Sequence, residues 1–259
     1  MSDQSRKVLD TFRLDGRVAV VTGASRGLGA AMACALAEAG AKVALAARGD
    51  LDAVAKHIRS RGGECDGFNA DLADRAAPKK LLDAADKRFG GADILVNNAG
   101  IIRRANFLEF SDEDWDAVMD VNIRAAFVLS REFAKRLAAR KAPGKIINTA
   151  SMLSFQGGIR VPAYTASKSA LAGLTKAMAN ELAPLGINVN AIAPGYMATD
   201  NTSALRADPV RNKSILERIP AGRWGEPTDL NGAAVFLASD AAAYVHGITL
   251  PVDGGWLAR

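Results

Sequence analysis

The segment Thr22-Gly23-Ala24-Ser25-Arg26-Gly27-Leu28-Gly29 decides the architecture. A short apolar run, residues 18–21, stands directly before it, and an Ala-rich stretch, residues 27–39, follows. A strand that passes through a glycine turn straight into a helix gathers unpaired backbone N–H groups at one point. The helix N-terminus adds about half a positive charge there. The spacing G-x3-G-x-G is one variant of the fingerprint that cradles the pyrophosphate of a dinucleotide. Glycines alone serve tight turns equally well, and it is the placement between first strand and first helix that gives these ones meaning.

Outward from that segment, apolar runs of strand length alternate with helical stretches. The expected strands are residues 18–21, 43–46, 65–69, 94–97, 145–149, 188–193 and 249–252. The expected helices are residues 27–39, 51–61, 78–89, 112–139, 162–183 and 228–238. Continuous apolar strands separated by helices read as right-handed βαβ units, hence an α/β fold with a parallel sheet covered on both faces. Ser111, with Asp114 three residues on, predicts a capped helix start, and Phe110 with Trp115 a hydrophobic staple. Pro184 and Gly186 predict the end of a long helix. From Asn201 to Gly225 the chain is polar and interrupted by Pro209, Pro220 and Gly222. A connection of that length is expected to cover a site.

The 259 residues suffice for a full core and stay within the range of one α/β domain, expected over residues 14–259 behind a short extension, 1–13. No apolar run approaches the roughly 20 residues that span a bilayer. The opening MSDQSRKVLDTF has no apolar core behind its basic residues, so no secretory signal is expected and a cytoplasmic home is. The net charge of +5 is scattered and aromatics are 6%, which argues against a nucleic-acid groove and for an anionic small molecule as partner. Cys34 and Cys65 lie in unrelated segments without ligand spacing, and Cys34 reads as a small core residue. His57 and His246 have no acidic company, so no metal is expected.

The second strand bears on which dinucleotide fits. An acid at its end would accept from the ribose 2′-OH and repel a 2′-phosphate. Here the strand ends in Ala47-Arg48, and Arg26 sits inside the glycine turn. Two guanidiniums at one corner suit a phosphate through paired N–H donors, so NADP is favoured. Asp50 competes as a 2′-OH acceptor, yet ahead of Leu51-Asp52-Ala53-Val54 it also reads as a helix N-cap. Asp71, beside Leu72 after the third strand, could accept from the adenine amino group. Asn98-Ala99-Gly100 follows the fourth strand, where open α/β sheets hold ligands. Either segment could also be a plain strand-end turn.

Tyr164 and Lys168 are four apart in a helical stretch and share one face. A free phenol titrates near 10, and bringing it to neutrality takes about 4 kcal/mol. An adjacent ammonium and the positive nicotinamide of an oxidised cofactor can supply much of that in a partly dry site. Ser151, just past the fifth strand, can bond a substrate oxygen where charge develops. Asn122 can kink its helix or hold a water that links Lys168 to solvent.

A lone Y-x3-K pair is common by chance, and its company gives it weight. The glycine motif, Asn97-Asn98-Ala99-Gly100, Asn122, Ser151, Tyr164 and Lys168 follow the order of the short-chain dehydrogenase/reductase family, which the chain resembles nearly throughout from about residue 14. The resemblance implies a Rossmann-type, doubly wound, seven-stranded parallel sheet and NAD(P)-dependent interconversion of a secondary alcohol and a ketone. It implies Asn122, Ser151, Tyr164 and Lys168 as catalytic residues, with Tyr164 and Lys168 also touching the cofactor. It further implies cofactor contacts from Gly23, Ser25, Arg26, Gly27, Leu28 and Gly29, from Pro194-Gly195 with Met197 and Thr199, and commonly a homotetramer. Residues 98–104, 151–162, 193–199, 218–225 and 252–259 resemble more narrowly the members that act on deoxy-sugar acids of the 2-dehydro-3-deoxy-D-gluconate or 2-deoxy-D-gluconate type. That branch is mostly associated with NAD, which stays open as the alternative cofactor.

A sugar acid needs a cation for its carboxylate and polar groups for its hydroxyls. Arg103 follows the Asn-Asn-Ala-Gly turn, and Met152, Gln156 and Arg160 follow Ser151, so these four are the expected substrate contacts. A 3-ketoacyl-thioester reductase is the rival enzyme, and a non-catalytic NAD(P)-sensing protein the rival from another class. A sensor has no need of the Tyr–Lys pair.

Overall fold

Runs rich in valine, isoleucine and alanine form the inner strands, because such residues fill both faces of a sheet covered on both sides, while Cys65–Asn69 and Thr249–Val252 at its two edges are more mixed and only partly buried. The computed structural model describes residues 7–259; residues 1–6, the start of the expected extension, lie outside the described residues. The strands are β1 (Val18–Thr22), β2 (Lys42–Ala47), β3 (Cys65–Asn69), β4 (Ile94–Asn97), β5 (Gly144–Thr149), β6 (Ile187–Pro194) and β7 (Thr249–Val252). All pair in parallel, in the order β3-β2-β1-β4-β5-β6-β7. Chain direction across the sheet reverses between β1 and β4, and a crevice opens at the carboxyl ends of those two strands.

The helices are α1 (Gly27–Glu38), α2 (Asp52–Ser60), α3 (Ala77–Phe89), α4 (Asp112–Met119), α5 (Ala125–Arg140), α6 (Pro162–Leu182), α7 (Ser203–Ala207), α8 (Pro209–Arg218) and α9 (Asn231–Ala238). The two-residue period of a strand divides the core. Ala19 and Val21 of β1, with Ile94 and Val96 of β4, face the layer that contains α1, α2 and α9. Val18 and Val20, with Leu95, face the layer of α3, α5 and α6. Phe133 and Leu137 of α5 and Leu82 of α3 are buried to within 1% on that second side. Cys65 is buried and Cys34 packs at the edge of the first layer. Among the described residues, no helix is long and apolar enough to cross a membrane.

Two expectations need correction. The helix expected over residues 112–139 is interrupted by a π turn, Asp120–Arg124, with Asn122 inside it. Its cause is tertiary: the buried Asn122 side chain is held by Ile101, on a different segment. The polar stretch after Asn201 contains two helices that its composition concealed. Pro209 occupies the first turn of α8, where a missing N–H costs nothing, and Asp208 caps it by accepting from the N–H groups of Val210 and Arg211. Elsewhere the local chemistry is as read. Ser111 Oγ accepts from the Asp114 N–H, Asp50 accepts from the Asp52 N–H at the start of α2, and Gly186 takes a φ of 74° after α6.

Candidate active site

The crevice at the carboxyl edge is a cleft of about 1050 Å³, the size of a ligand pocket for a large cofactor. Gly23, Ser25, Arg26, Gly27, Leu28 and Gly29 form its floor. No side chain caps α1 and no acid stands in its first turn, so its leading N–H groups face the cleft unopposed. Gly29 is required by contact: a Cβ there would collide with the Gly23 carbonyl, so only glycine lets the turn close against β1. Arg48, Asp71 and Leu72 line the far corner, and Asn98, Ala99 and Gly100 the wall below β4. Asn98 is fixed by the β1 end: its N–H reaches Thr22 Oγ1 at 3.0 Å and its Nδ2 the Thr22 carbonyl at 3.0 Å. Uncapped helix, two guanidiniums and open volume together fit an anionic dinucleotide.

Tyr164 and Lys168 line the opposite end of the same cleft, one turn apart on α6. Lys168 is 4% exposed, and its Nζ donates to the Thr149 carbonyl at 2.5 Å. The ammonium lies 5.6 Å from the centre of the Tyr164 ring. Burial lowers the Lys168 pKa to about 8, so the group is charged at neutral pH. Burial pushes the Tyr164 phenol up; a hydrogen bond with Ser151 and the positive Arg104 oppose this. The phenol is thus held protonated by the protein alone, the form that donates to a ketone oxygen. Ser151 is buried at the end of β5, its Oγ accepting from the Leu153 N–H at 3.1 Å. Asn122 does not touch the cleft directly. Its Oδ1 accepts from the Ile101 N–H at 2.8 Å, and its Nδ2 donates to the Ile101 carbonyl at 3.0 Å and to Ser167 Oγ at 3.1 Å.

The remaining expected residues divide. Thr199 lines the cleft, whereas Met197 borders a separate cavity of about 200 Å³ with Tyr196 and Gly225. Pro194 ends β6, and Gly195 has a packing role: a Cβ there would sit 2.6 Å from Asp253 Cα. Arg103 is held on the surface by Asp114 at 3.1 Å. Met152 is buried against Ile215, Ile219 and Trp256, and Gln156 Oε1 accepts from Arg218 at 3.2 Å. Arg160 adopts a left-handed φ of 65° and offers its carbonyl to the Ala105 N–H at 3.2 Å. The cation near the phenol is Arg104, which the sequence reading passed over for its neighbour. The two arginines part because Asp114, eleven residues on, claims Arg103 while Arg104 reaches the Asn201 carbonyl at 3.2 Å. Asp200 and Asn201, also in the cleft wall, carried no sequence signal beyond adjacency to Thr199.

The parallel sheet, with its cleft where the strand order reverses, is a Rossmann-type arrangement. A family model described as enoyl-(acyl carrier protein) reductase matches residues 23–257. The chain is 55% identical over 252 residues to a 2-dehydro-3-deoxy-D-gluconate 5-dehydrogenase of Escherichia coli, covering 97% of this chain and 100% of that one. It is 54% identical, with the same coverage, to the protein of that name from Dickeya dadantii. The crystal structure of a gluconate 5-dehydrogenase from Burkholderia cenocepacia, in complex with NADP and tartrate, is 42% identical and superposes with a TM-score of 0.93, covering 98% of this chain and 100% of that one. The chain belongs to the short-chain dehydrogenase/reductase family.

Proposed function

We propose that this protein interconverts a secondary alcohol and a ketone on a deoxy-sugar acid of the 2-dehydro-3-deoxy-D-gluconate or 2-deoxy-D-gluconate type, with NADP preferred over NAD. The observation that carries the reading is that Tyr164, hydrogen-bonded to Ser151, and Lys168 line one end of a cleft that also holds the glycine turn and two guanidiniums. Bound NAD(P) supplies or accepts the hydride. Tyr164 gives its proton to the carbonyl oxygen during reduction and takes it back from the alcohol during oxidation. Ser151 orients that oxygen and stabilises its developing charge. The Lys168 ammonium, anchored by Thr149, lowers the cost of the phenolate. Asn122 is a positioning residue: it fixes Ile101 beside the cleft and Ser167 on α6.

The substrate preference draws on the names and extent of the relatives and on the Arg104 charge beside the phenol, which suits a carboxylate. The NADP preference draws on Arg26 and Arg48 and on the NADP of the Burkholderia structure. In the same reading, residues 14–259 form the catalytic domain of a cytoplasmic homotetramer. Exposed Phe107, Leu108, Trp115 and Phe127 around α4 and α5 offer apolar surface to bury between subunits.

Steady-state assays over deoxy-ketosugar acids, uronates and acetoacetyl thioesters, with both cofactors, test the substrate, and the deoxy-ketosugar acids should give the highest kcat/KM. A thioester that outran them would replace the sugar-acid reading by the ketoacyl one. Tyr164→Phe should abolish turnover while cofactor affinity stays within a few-fold. Retention of more than a few percent of activity would remove Tyr164 as the proton donor.

A further inference from the structure

Both guanidiniums of the nucleotide end of the cleft already face a carboxylate of this chain. Arg48 Nη1 lies 3.9 Å from Asp71, and Arg26 Nη1 donates to Asp200 Oδ2 at 3.0 Å. The second pair joins residues 174 positions apart, the glycine turn after β1 and the chain just past β6. The backbone that carries Asp200 is tied in place. That residue opens a short 3-10 turn, Asp200–Thr202, closed by a reciprocal capping box between Thr199 and Thr202. Its own carbonyl accepts from Ser203 Oγ at 2.7 Å, and the next carbonyl, of Asn201, accepts from Arg104. The carboxylate is therefore presented to Arg26 by a fixed backbone.

We propose that Asp200 sets how strongly this protein distinguishes NADP from NAD, by competing as an internal anion for the Arg26 guanidinium that a 2′-phosphate needs. The inference rests on the NADP preference stated above. A ribose 2′-OH is neutral and leaves the Arg26–Asp200 pair intact. A 2′-phosphate carries close to two negative charges. To engage Arg26 it must displace the carboxylate and then sit beside it, with like charges a few ångströms apart. Asp200 therefore weakens binding of the phosphorylated cofactor and spares the other. The pair is open to water, with side chains 76% and 73% exposed, so the penalty is small, screened by salt and set by geometry.

The test is calorimetric titration of 2′,5′-ADP and 5′-AMP, which differ only in the 2′-phosphate, into wild type, Asp200→Asn, Arg26→Ala and the double variant. Asp200→Asn should tighten 2′,5′-ADP by about two- to fivefold at low ionic strength, with 5′-AMP unchanged. The gain should shrink in 0.5 M salt and in the Arg26→Ala background, where there is no guanidinium to contest. Far-UV circular dichroism and the melting temperature report that each variant is folded. If wild type prefers 2′,5′-ADP and Asp200→Asn leaves that preference unchanged or lowers it, the competition is overturned while the NADP preference stands. If wild type binds the two nucleotides alike, the NADP preference falls, and the inference with it.

Discussion

Lys168 keeps a charge in a place where a charge is costly. With 4% of its surface exposed and one carbonyl, Thr149, as acceptor, its pKa falls from 10.5 to about 8. Folding thus favours the neutral amine. Below about pH 8 the folded protein bears the full cost of the buried ammonium, about 3 kcal/mol, and that cost fades as pH rises from 8 toward 10.5. Activity has the opposite dependence, because the charge that destabilises the fold is the one that stabilises the phenolate. Ketone reduction should therefore decline as pH rises through about 8 while the melting temperature, corrected for other groups, gains. Lys168→Arg, which keeps its charge, should lose the inflection near pH 8. A wild-type kcat that stayed flat from pH 7 to 9.5 would contradict the assignment. Legibility at this scale was uneven. Tyr164, Lys168 and Ser151 could be found because spacing and order in the chain identify them. Arg104 could not be told from Arg103, since the choice between adjacent cations is made by Asp114 and Asn201, which only the folded chain brings near.

At the scale of elements, the π turn separates what composition predicts from what packing imposes. Residues 112–140 contain neither proline nor glycine, so Asn122 was the one residue read there as able to kink the helix. The break lies at that residue, where the Asn122 side chain satisfies both backbone groups of Ile101 on a different segment. Asn122→Leu should leave the Ile101 N–H and carbonyl unpaired, costing about 2–4 kcal/mol in denaturant unfolding, together with a fall in kcat. Ser167→Ala leaves both Ile101 bonds in place, removing the third bond, from Asn122 Nδ2, and the Ser167 hydroxyl's own bond to the Tyr164 carbonyl, and should cost about 1 kcal/mol. Equal losses for the two variants would mean that Ile101 does not depend on Asn122. Helices α7 and α8 went unread for a different reason. Pro209 interrupts a sequence read left to right but starts a helix once Asp208 caps it.

For the whole molecule, the sheet was legible almost to the residue, because its inner strands are apolar runs buried on both faces, although the edge strand β3 is mixed and partly buried. Its strand order was not read from the residues, since the glycine turn marks only where β1 ends against a ligand. The packing of α8 against the chain's last residues was not legible either. Arg218 stacks on Trp256 at 3.9 Å and bonds Gln156, and Arg259 holds the Arg218 and Glu217 carbonyls, contacts between segments about 40 to 60 positions apart.

The strand order has a kinetic corollary. The cleft takes its walls from β1, β4, β5, α6 and the chain beyond β6, and its central ladder joins β1 to β4 across more than seventy residues. Such distant pairings form late, since loop closure must precede any reward from them. During refolding from denaturant, helical circular dichroism should therefore return before affinity for 2′,5′-ADP. Recovery of both in a single shared phase would mean that the helices form only together with the β1–β4 pairing, in one cooperative step.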